Sequence, residues 1–361
     1  MVESLDHNML QRAHKKKMKN VFIHLIHMNY CSFSLVLLAT TTLALSTQTE
    51  SIPFDRWVEL NQKSYSAEEY WYRQSIFNDN VRYIKDWNSK SSSFKLRTTK
   101  FADLRIDEYR QQILMNPRLR VENLTTTPVS SLSSFRSVNW EVDGYEPQVN
   151  NQGQCGDCWS FSISQMLAGV LAKQNSTLAP TLSAQQMVDC IPQPVCFGCG
   201  GCWPQDSLNY TLTNWGGLET WDDYPYTGVQ GQCQYNARLT QRVAATNVVL
   251  VRGDQEQALR LLYANTPLSV CLDASSQNFM LYSHGLYNST DCSAQDLDHA
   301  VLLYGTYQDT VSGRWAYLLQ NSWGDAVNGS SGWGTNGLFE FDAQTEDGNL
   351  CGIVSNVVYL R

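Results

Sequence analysis

The chain has 361 residues, 43% of them hydrophobic, and a formal net charge of −8. It is longer than one average domain and can bury a sizeable core, and the lack of a basic patch argues against a nucleic-acid partner. Eleven cysteines and five Asn-x-Ser/Thr sites, at Asn123, Asn175, Asn209, Asn288 and Asn328, point to an oxidising compartment on the secretory route, lysosomal or extracellular. Residues 1–46 read as a signal peptide or targeting segment. The basic run Lys15-Lys16-Lys17-Met18-Lys19 precedes an apolar stretch from Phe33 to Leu45 that is short for a bilayer span. Small Ala44 and Ser46 suit a cut before Thr47, and a start at Met18 would give a more ordinary leader. A membrane anchor over 21–45 is the rival reading.

Residues 47–115 read as helical and amphipathic, with Phe54, Trp57, Tyr65, Tyr70, Trp71 and Tyr72 among the aromatics. Glu69, Arg73, Phe77, Asn80, Ile84 and Asn88 fit the spacing E-x3-R-x3-F-x2-N-x3-I-x3-N. That spacing resembles the ERFNIN helix of cathepsin L-type propeptides, which implies an intramolecular inhibitor that crosses the cleft in the non-productive direction. Arg97-Thr98-Thr99-Lys100-Phe101-Ala102-Asp103 resembles the same family's G-x-N-x-F-x-D, with Phe101 and Asp103 matching and Arg97 and Thr99 departing. Residues 116–134 turn to Ser, Thr and Pro without an apolar period, as expected of a cleavable linker. The peptidase domain then spans 135–361, with Val138-Asn139-Trp140 near its start.

The stretch on which the chemistry turns is Gln152-Gly153-Gln154-Cys155-Gly156-Asp157-Cys158-Trp159-Ser160-Phe161, running into an apolar helical pattern to Leu171. Cys158 falls at a helix N-terminus, where the dipole eases loss of the thiol proton. His299, in Leu297-Asp298-His299-Ala300-Val301, follows Cys158 by 141 residues, and Asn321, in Gln320-Asn321-Ser322-Trp323-Gly324, by 163. Taken singly, His299 reads as a satisfied core histidine and Asn321 as a turn former. Together the three segments resemble papain-like cysteine proteases, Asp157 replacing the usual Ser or Ala. The resemblance implies an α+β, papain-like two-lobed fold, a helical lobe and a β-barrel lobe facing across a cleft, preceded by the inhibitory propeptide. It also implies Cys158 and His299 as a thiolate–imidazolium pair, Asn321 orienting His299, and Gln152 with the Cys158 amide as oxyanion donors.

The same resemblance implies disulfides Cys155–Cys199, Cys190–Cys233 and Cys292–Cys351. Cys196, Cys199 and Cys202 are spaced like metal ligands, but no fourth ligand follows, so a Cys196–Cys202 disulfide is preferred and no metal or cofactor is expected. Substrate would lie along Gly201, with Cys202 in place of the family's second glycine. Its specificity pocket would be lined by Trp203, Pro204, Cys271, Leu297, Ala300 and Asn356, mainly apolar with a polar floor. Asp298 and Trp323 complete the substrate-binding set, Trp323 shielding the His299–Asn321 bond. A carboxylate at 157 would raise the thiol pKa, although Asp is also a favoured helix cap. A polar insertion separates Trp323 from Trp333 and would border the leaving-group side of the cleft.

These readings converge on a cysteine endopeptidase made as a zymogen, on the cathepsin L-like side of the family, with a divergent cathepsin O-like member as a variant. Its partners would be protein or peptide substrates and its own propeptide, and it would be a monomer. The alternative from another class is a non-catalytic secreted homologue that acts by binding.

Overall fold

A computed structural model describes residues 52–361 apart from 116–118, 121–124, 127, 129, 146–147, 246, 265 and 325–331. The leader, the candidate anchor over 21–45, the sequons at Asn123 and Asn328 and most of the insertion after Trp323 therefore lie outside the described residues. The elements in chain order are α1 (Phe54–Leu60), α2 (Ala67–Ser89), β1 (Phe94–Leu96), α3 (Ile106–Gln112), β2 (Leu119–Arg120), β3 (Val138–Asn139), α4 (Cys158–Asn175), α5 (Ala184–Cys190) and α6 (Pro204–Asn214). There follow β4 (Gly217–Leu218), β5 (Gln241–Arg242), β6 (Val248–Val251), α7 (Gln255–Ala264), β7 (Leu268–Leu272), α8 (Gln277–Met280), β8 (Tyr282–Tyr287), β9 (Asp296–Leu297), β10 (His299–Gln308), β11 (Trp315–Gln320), β12 (Leu338–Asp342) and β13 (Val357–Leu360).

The N-terminal part is built on α2. Ser66 caps it, its hydroxyl accepting from the Glu69 amide, and Ile76, Phe77, Asn80, Val81 and Ile84 form its buried stripe. Phe77 meets Phe54 and Trp57 at ring separations of 5.2 and 5.3 Å. The polar members of the ERFNIN spacing clamp the loop that follows. Arg73 reaches Glu108 and the Asp103 carbonyl, Asn80 donates to the Ala102 and Leu104 carbonyls, and Asn88 exchanges two bonds with Leu96. Asp103 is buried against Lys63, at 3.2 Å, and the Tyr65 hydroxyl. At the two departing positions, the Arg97 guanidinium donates to the Gly334 carbonyl and the Thr99 hydroxyl to the Met280 carbonyl.

Residues 47–115 are not helical throughout. Phe94–Leu96 pairs antiparallel with β8, Phe94 opposite Gly285, and so joins the main sheet of the peptidase part. Three residues are too few to show a period, and the pairing partner lies about 190 positions downstream, so no local pattern announces the strand. That sheet runs β1-β8-β12-β11-β10-β7-β13-β6, with β3 also pairing β10. Neighbours are antiparallel except β12 with β8.

Two hydrophobic cores flank the site. One joins the aromatics of α1 and α2 to the sheet; the other surrounds α4, which is buried from Cys158 to Ala172. A helix apolar on every side has to lie inside the protein, and here it packs against β10, α6, α5 and β7. Disulfides tie Cys155 to Cys199, Cys190 to Cys233, Cys196 to Cys202 and Cys292 to Cys351, leaving Cys158 and Cys271 as thiols among the described residues.

Candidate active site

Cys158 is the first residue of α4 and His299 the first of β10, and packing of that helix on that strand brings them together. The Ala300 amide donates to the Cys158 sulfur at 3.3 Å, which sets the thiol against the backbone immediately after His299. Asn321 follows β11, the hydrogen-bonded neighbour of β10. Its Oδ1 accepts from the Ser322 amide, which fixes the orientation of the side-chain amide, and lies 2.8 Å from His299 Nε2. An amide oxygen only accepts, so Nε2 carries the proton, and in the neutral ring Nδ1 is left as the free base. Nδ1 has no hydrogen-bond partner among the described residues.

The indole of Trp323 stacks on His299 with centroids 4.6 Å apart, and Phe101 and Tyr109 pack edge-on against the same indole. The His299–Asn321 bond is thus closed off from water, which strengthens it.

Gln152 is wholly buried. Its Oε1 accepts from the Ser322 hydroxyl at 2.6 Å, so its amide nitrogen faces the site, donating to the carbonyls of Cys155, at 2.8 Å, and Ile113, at 3.1 Å. The Ile113 carbonyl belongs to a segment laid across the site. Two residues on, the Met115 amide donates to the Asp298 carbonyl at 2.9 Å, and β2 then pairs with β9, Leu119 opposite Leu297. Met115 lies in the same core cluster as Cys158, Cys202, Cys271, Leu297 and Ala300.

Gly201, at φ +116°, and Gly156 let this segment approach. A Cβ on Gly201 would stand 3.2 Å from Met115 Cβ, and one on Gly156 3.2 Å from the Leu114 carbonyl. Cys202 is buried in its disulfide beside that wall; Pro204 opens α6 and Trp203, half-buried, precedes it. The Cys271 thiol faces Asn356 Oδ1 at 3.6 Å, and Gln205 Oε1 accepts from Asn356. Sequence reasoning missed Gln205, Ser322 and Tyr226. Ser322 adjoins Asn321 in the motif, but nothing local marks the other two. Asn175, Asn209 and Asn288 are exposed.

The covered site is electrically quiet. Burial pushes the His299 imidazole down to about 4, the bond to Asn321 opposing, and pushes the Cys158 thiol up. With residues 113–115 in place both groups are therefore neutral. Asp157 does sit at the N-cap of α4, but its carboxyl makes no cap bond to the first helical amides; it turns to the hydroxyls of Tyr226 and Ser160.

Residues 135–361 match the papain family cysteine protease domain, and residues 54–109 the cathepsin propeptide inhibitor domain. The chain is 33% identical to procathepsin L of Mus musculus over 321 residues, spanning 86% of this chain and 92% of that protein. It is 32% identical to cysteine proteinase 5 of Dictyostelium discoideum over 326 residues, 85% and 91% of the two chains. The solved structure of digestive procathepsin L 3 from the larval midgut of Tenebrio molitor superposes with a TM-score of 0.73 at 29% identity, over 86% of this chain and 99% of that one. The chain belongs to the papain family of cysteine proteases and is a cathepsin L-like zymogen, a cysteine endopeptidase that carries its own inhibitory propeptide.

Proposed function

We propose that Cys158 is the nucleophile, His299 the base and acid, Asn321 the group that orients the ring, and Gln152 with the Cys158 amide the oxyanion site. Once the propeptide leaves, water reaches the two neutral groups. The thiol proton then passes to His299 Nδ1, the nitrogen opposite the Asn321 bond, giving thiolate and imidazolium. Sulfur attacks the peptide carbonyl, the oxyanion takes the Gln152 amide, and imidazolium protonates the departing amine. Water activated by the same nitrogen then releases the acid and restores the thiol.

The observation that carries this reading is the use the propeptide makes of the site. The Ile113 carbonyl occupies the Gln152 amide, and Met115 reaches the Asp298 carbonyl from the pocket side. Gly201, Cys202, Trp203, Pro204, Cys271, Leu297, Asp298, Ala300, Trp323 and Asn356 would bind substrate. Met115 among the apolar members of that set favours a hydrophobic residue two positions before the cleaved bond.

The domain plan proposed is a leader over 1–46, a propeptide over 47–115, a cleavable linker over 116–134 and a peptidase over 135–361, working as a monomer in the lysosome or outside the cell. The test is the processed enzyme with Cys158→Ala, assayed on a peptide library beside the wild type. Loss of all cleavage, together with single-site labelling of wild-type Cys158 by a thiol-directed epoxide, is the expected result. Retained cleavage would sink the assignment.

A further inference from the structure

Asp157 takes no part in the chemistry above, yet it is wholly buried beside the nucleophile. Apart from its own amide, its carboxyl meets only hydroxyls among the described residues: Tyr226 Oη lies 3.0 Å from both Oδ1 and Oδ2, and Ser160 Oγ 3.1 Å from Oδ2. Among the described residues the titratable groups around it are Tyr226, on the loop after β4, and Cys158, on its own helix, and no cation compensates it. Tyr226 Oη also lies 2.9 Å from the Gln152 carbonyl, whose other contact is the Cys155 amide at 3.3 Å.

A phenol has one proton to donate, whereas a carbonyl and a carboxylate can only accept. Were Asp157 ionised, it would compete with Gln152 for that single proton and leave the buried carbonyl with only the long bond from the Cys155 amide, at 3.3 Å. A proton on Asp157 completes the chain: acid O–H to Tyr226 oxygen, Tyr226 O–H to the Gln152 carbonyl. Every group in the chain is then satisfied.

We infer that Asp157 is a proton-bearing positioning residue, which as a neutral acid holds Tyr226 and, through it, the backbone of Gln152, while keeping negative charge away from the Cys158 thiolate. This rests on the assignment of Cys158 and Gln152 above. The electrostatics agree, since burial lifts the Asp157 carboxyl from 3.8 to about 7 against the pull of the two hydroxyls. Ionisation would withdraw the Tyr226 proton from Gln152 and set an anion one residue from the nucleophile. Both effects act on the reacting centre and neither on the pocket residues Cys271, Leu297 and Asn356, so kcat should respond and KM should not.

The experiment measures kcat and KM against pH for the processed wild type, Asp157→Asn and Tyr226→Phe. The wild type should lose kcat with an alkaline limb near pH 7. Asp157→Asn, which keeps a neutral donor, should move that limb up by about one pH unit or more with KM unchanged, and Tyr226→Phe should lower kcat about tenfold. Coincident alkaline limbs in wild type and Asp157→Asn would overturn the inference. A second measurement needs no activity: the carbon-13 signal of the Asp157 carboxyl in the Cys158→Ala zymogen, assigned by difference against the same zymogen carrying Asp157→Asn. A proton lost near pH 7 supports the inference, and a carboxylate already ionised near pH 5 overturns it. Peptidase activity surviving in Cys158→Ala would instead sink the nucleophile assignment and leave that titration standing.

Discussion

Residues 54–112 and the described residues of the segment that follows, 113–115 and 119–120, both cover the enzyme, but they hold on by different means. In the first part Phe54, Trp57 and Phe77 pack together within the core shared with the sheet, and it adds β1 to that sheet and Phe101 and Tyr109 to the face of Trp323. In the second part Ile113 and Leu114 extend that core, while backbone bonds to Gln152, Asp298 and Leu297 and the Met115 side chain, in the cluster around Cys158, lay the segment across the site. The head therefore supplies the energy, and the crossing segment converts it into a blocked site. Backbone bonds replaced by water gain little on their own, whereas buried aromatics gain several kcal/mol each.

Breaking the head should have the largest effect. Trp57 is fully buried, and its indole N–H donates to the Thr99 carbonyl. Trp57→Ala should cost about 3–5 kcal/mol, enough to unfold the head and let the crossing segment go. The zymogen should then mature at neutral pH, which a gel time course would record. Unchanged latency would show that the crossing segment holds by itself.

Met115→Ala probes the other half of the contrast. Truncation of this buried side chain should cost about 2 kcal/mol, leaving the head folded and the unfolding temperature nearly the same. Labelling of Cys158 by a small thiol reagent should rise roughly thirtyfold, the same energy expressed as a rate. If labelling does not change, Met115 contributes packing to the wall and no anchoring.

The pH dependence sharpens the comparison with a smaller effect. His299 is held down to about 4 in the covered site, from an ordinary value of 6.5. Uncovering lets the ring take up a proton, so the covered form is fully favoured above pH 6.5 and loses stability as pH falls toward 4, by at most about 1.4 kcal/mol per pH unit. Propeptide protection in the Cys158→Ala zymogen, read by an added protease, should weaken across that window. His299→Gln should flatten this part of the profile, and an unchanged slope would move the acid response to the carboxylates of the head.

The grouping of Cys158, His299 and Asn321 was legible because each sits in a short motif whose neighbours carry the resemblance. The ERFNIN spacing was legible because a helix repeats on a fixed period. The strand at 94–96 was not, since its reason for being extended is the edge of β8. Nor was the way Asp157 turns. A favoured capping residue at an N-cap predicts a bond to the helix amides, and that prediction fails because Tyr226, 69 positions downstream, offers a hydroxyl at 3.0 Å.

The sequence by itself determined the position of Cys158 at a helix start, the order of its distant partners and the presence of a helical inhibitor ahead of them. These are properties of residues close along the chain. Which nitrogen of His299 is free, whose carbonyl Gln152 holds and whether Asp157 keeps its proton were decided only by the tertiary structure. Each depends on burial and on a hydrogen-bond partner that folding brings from elsewhere, and no local spacing encodes that.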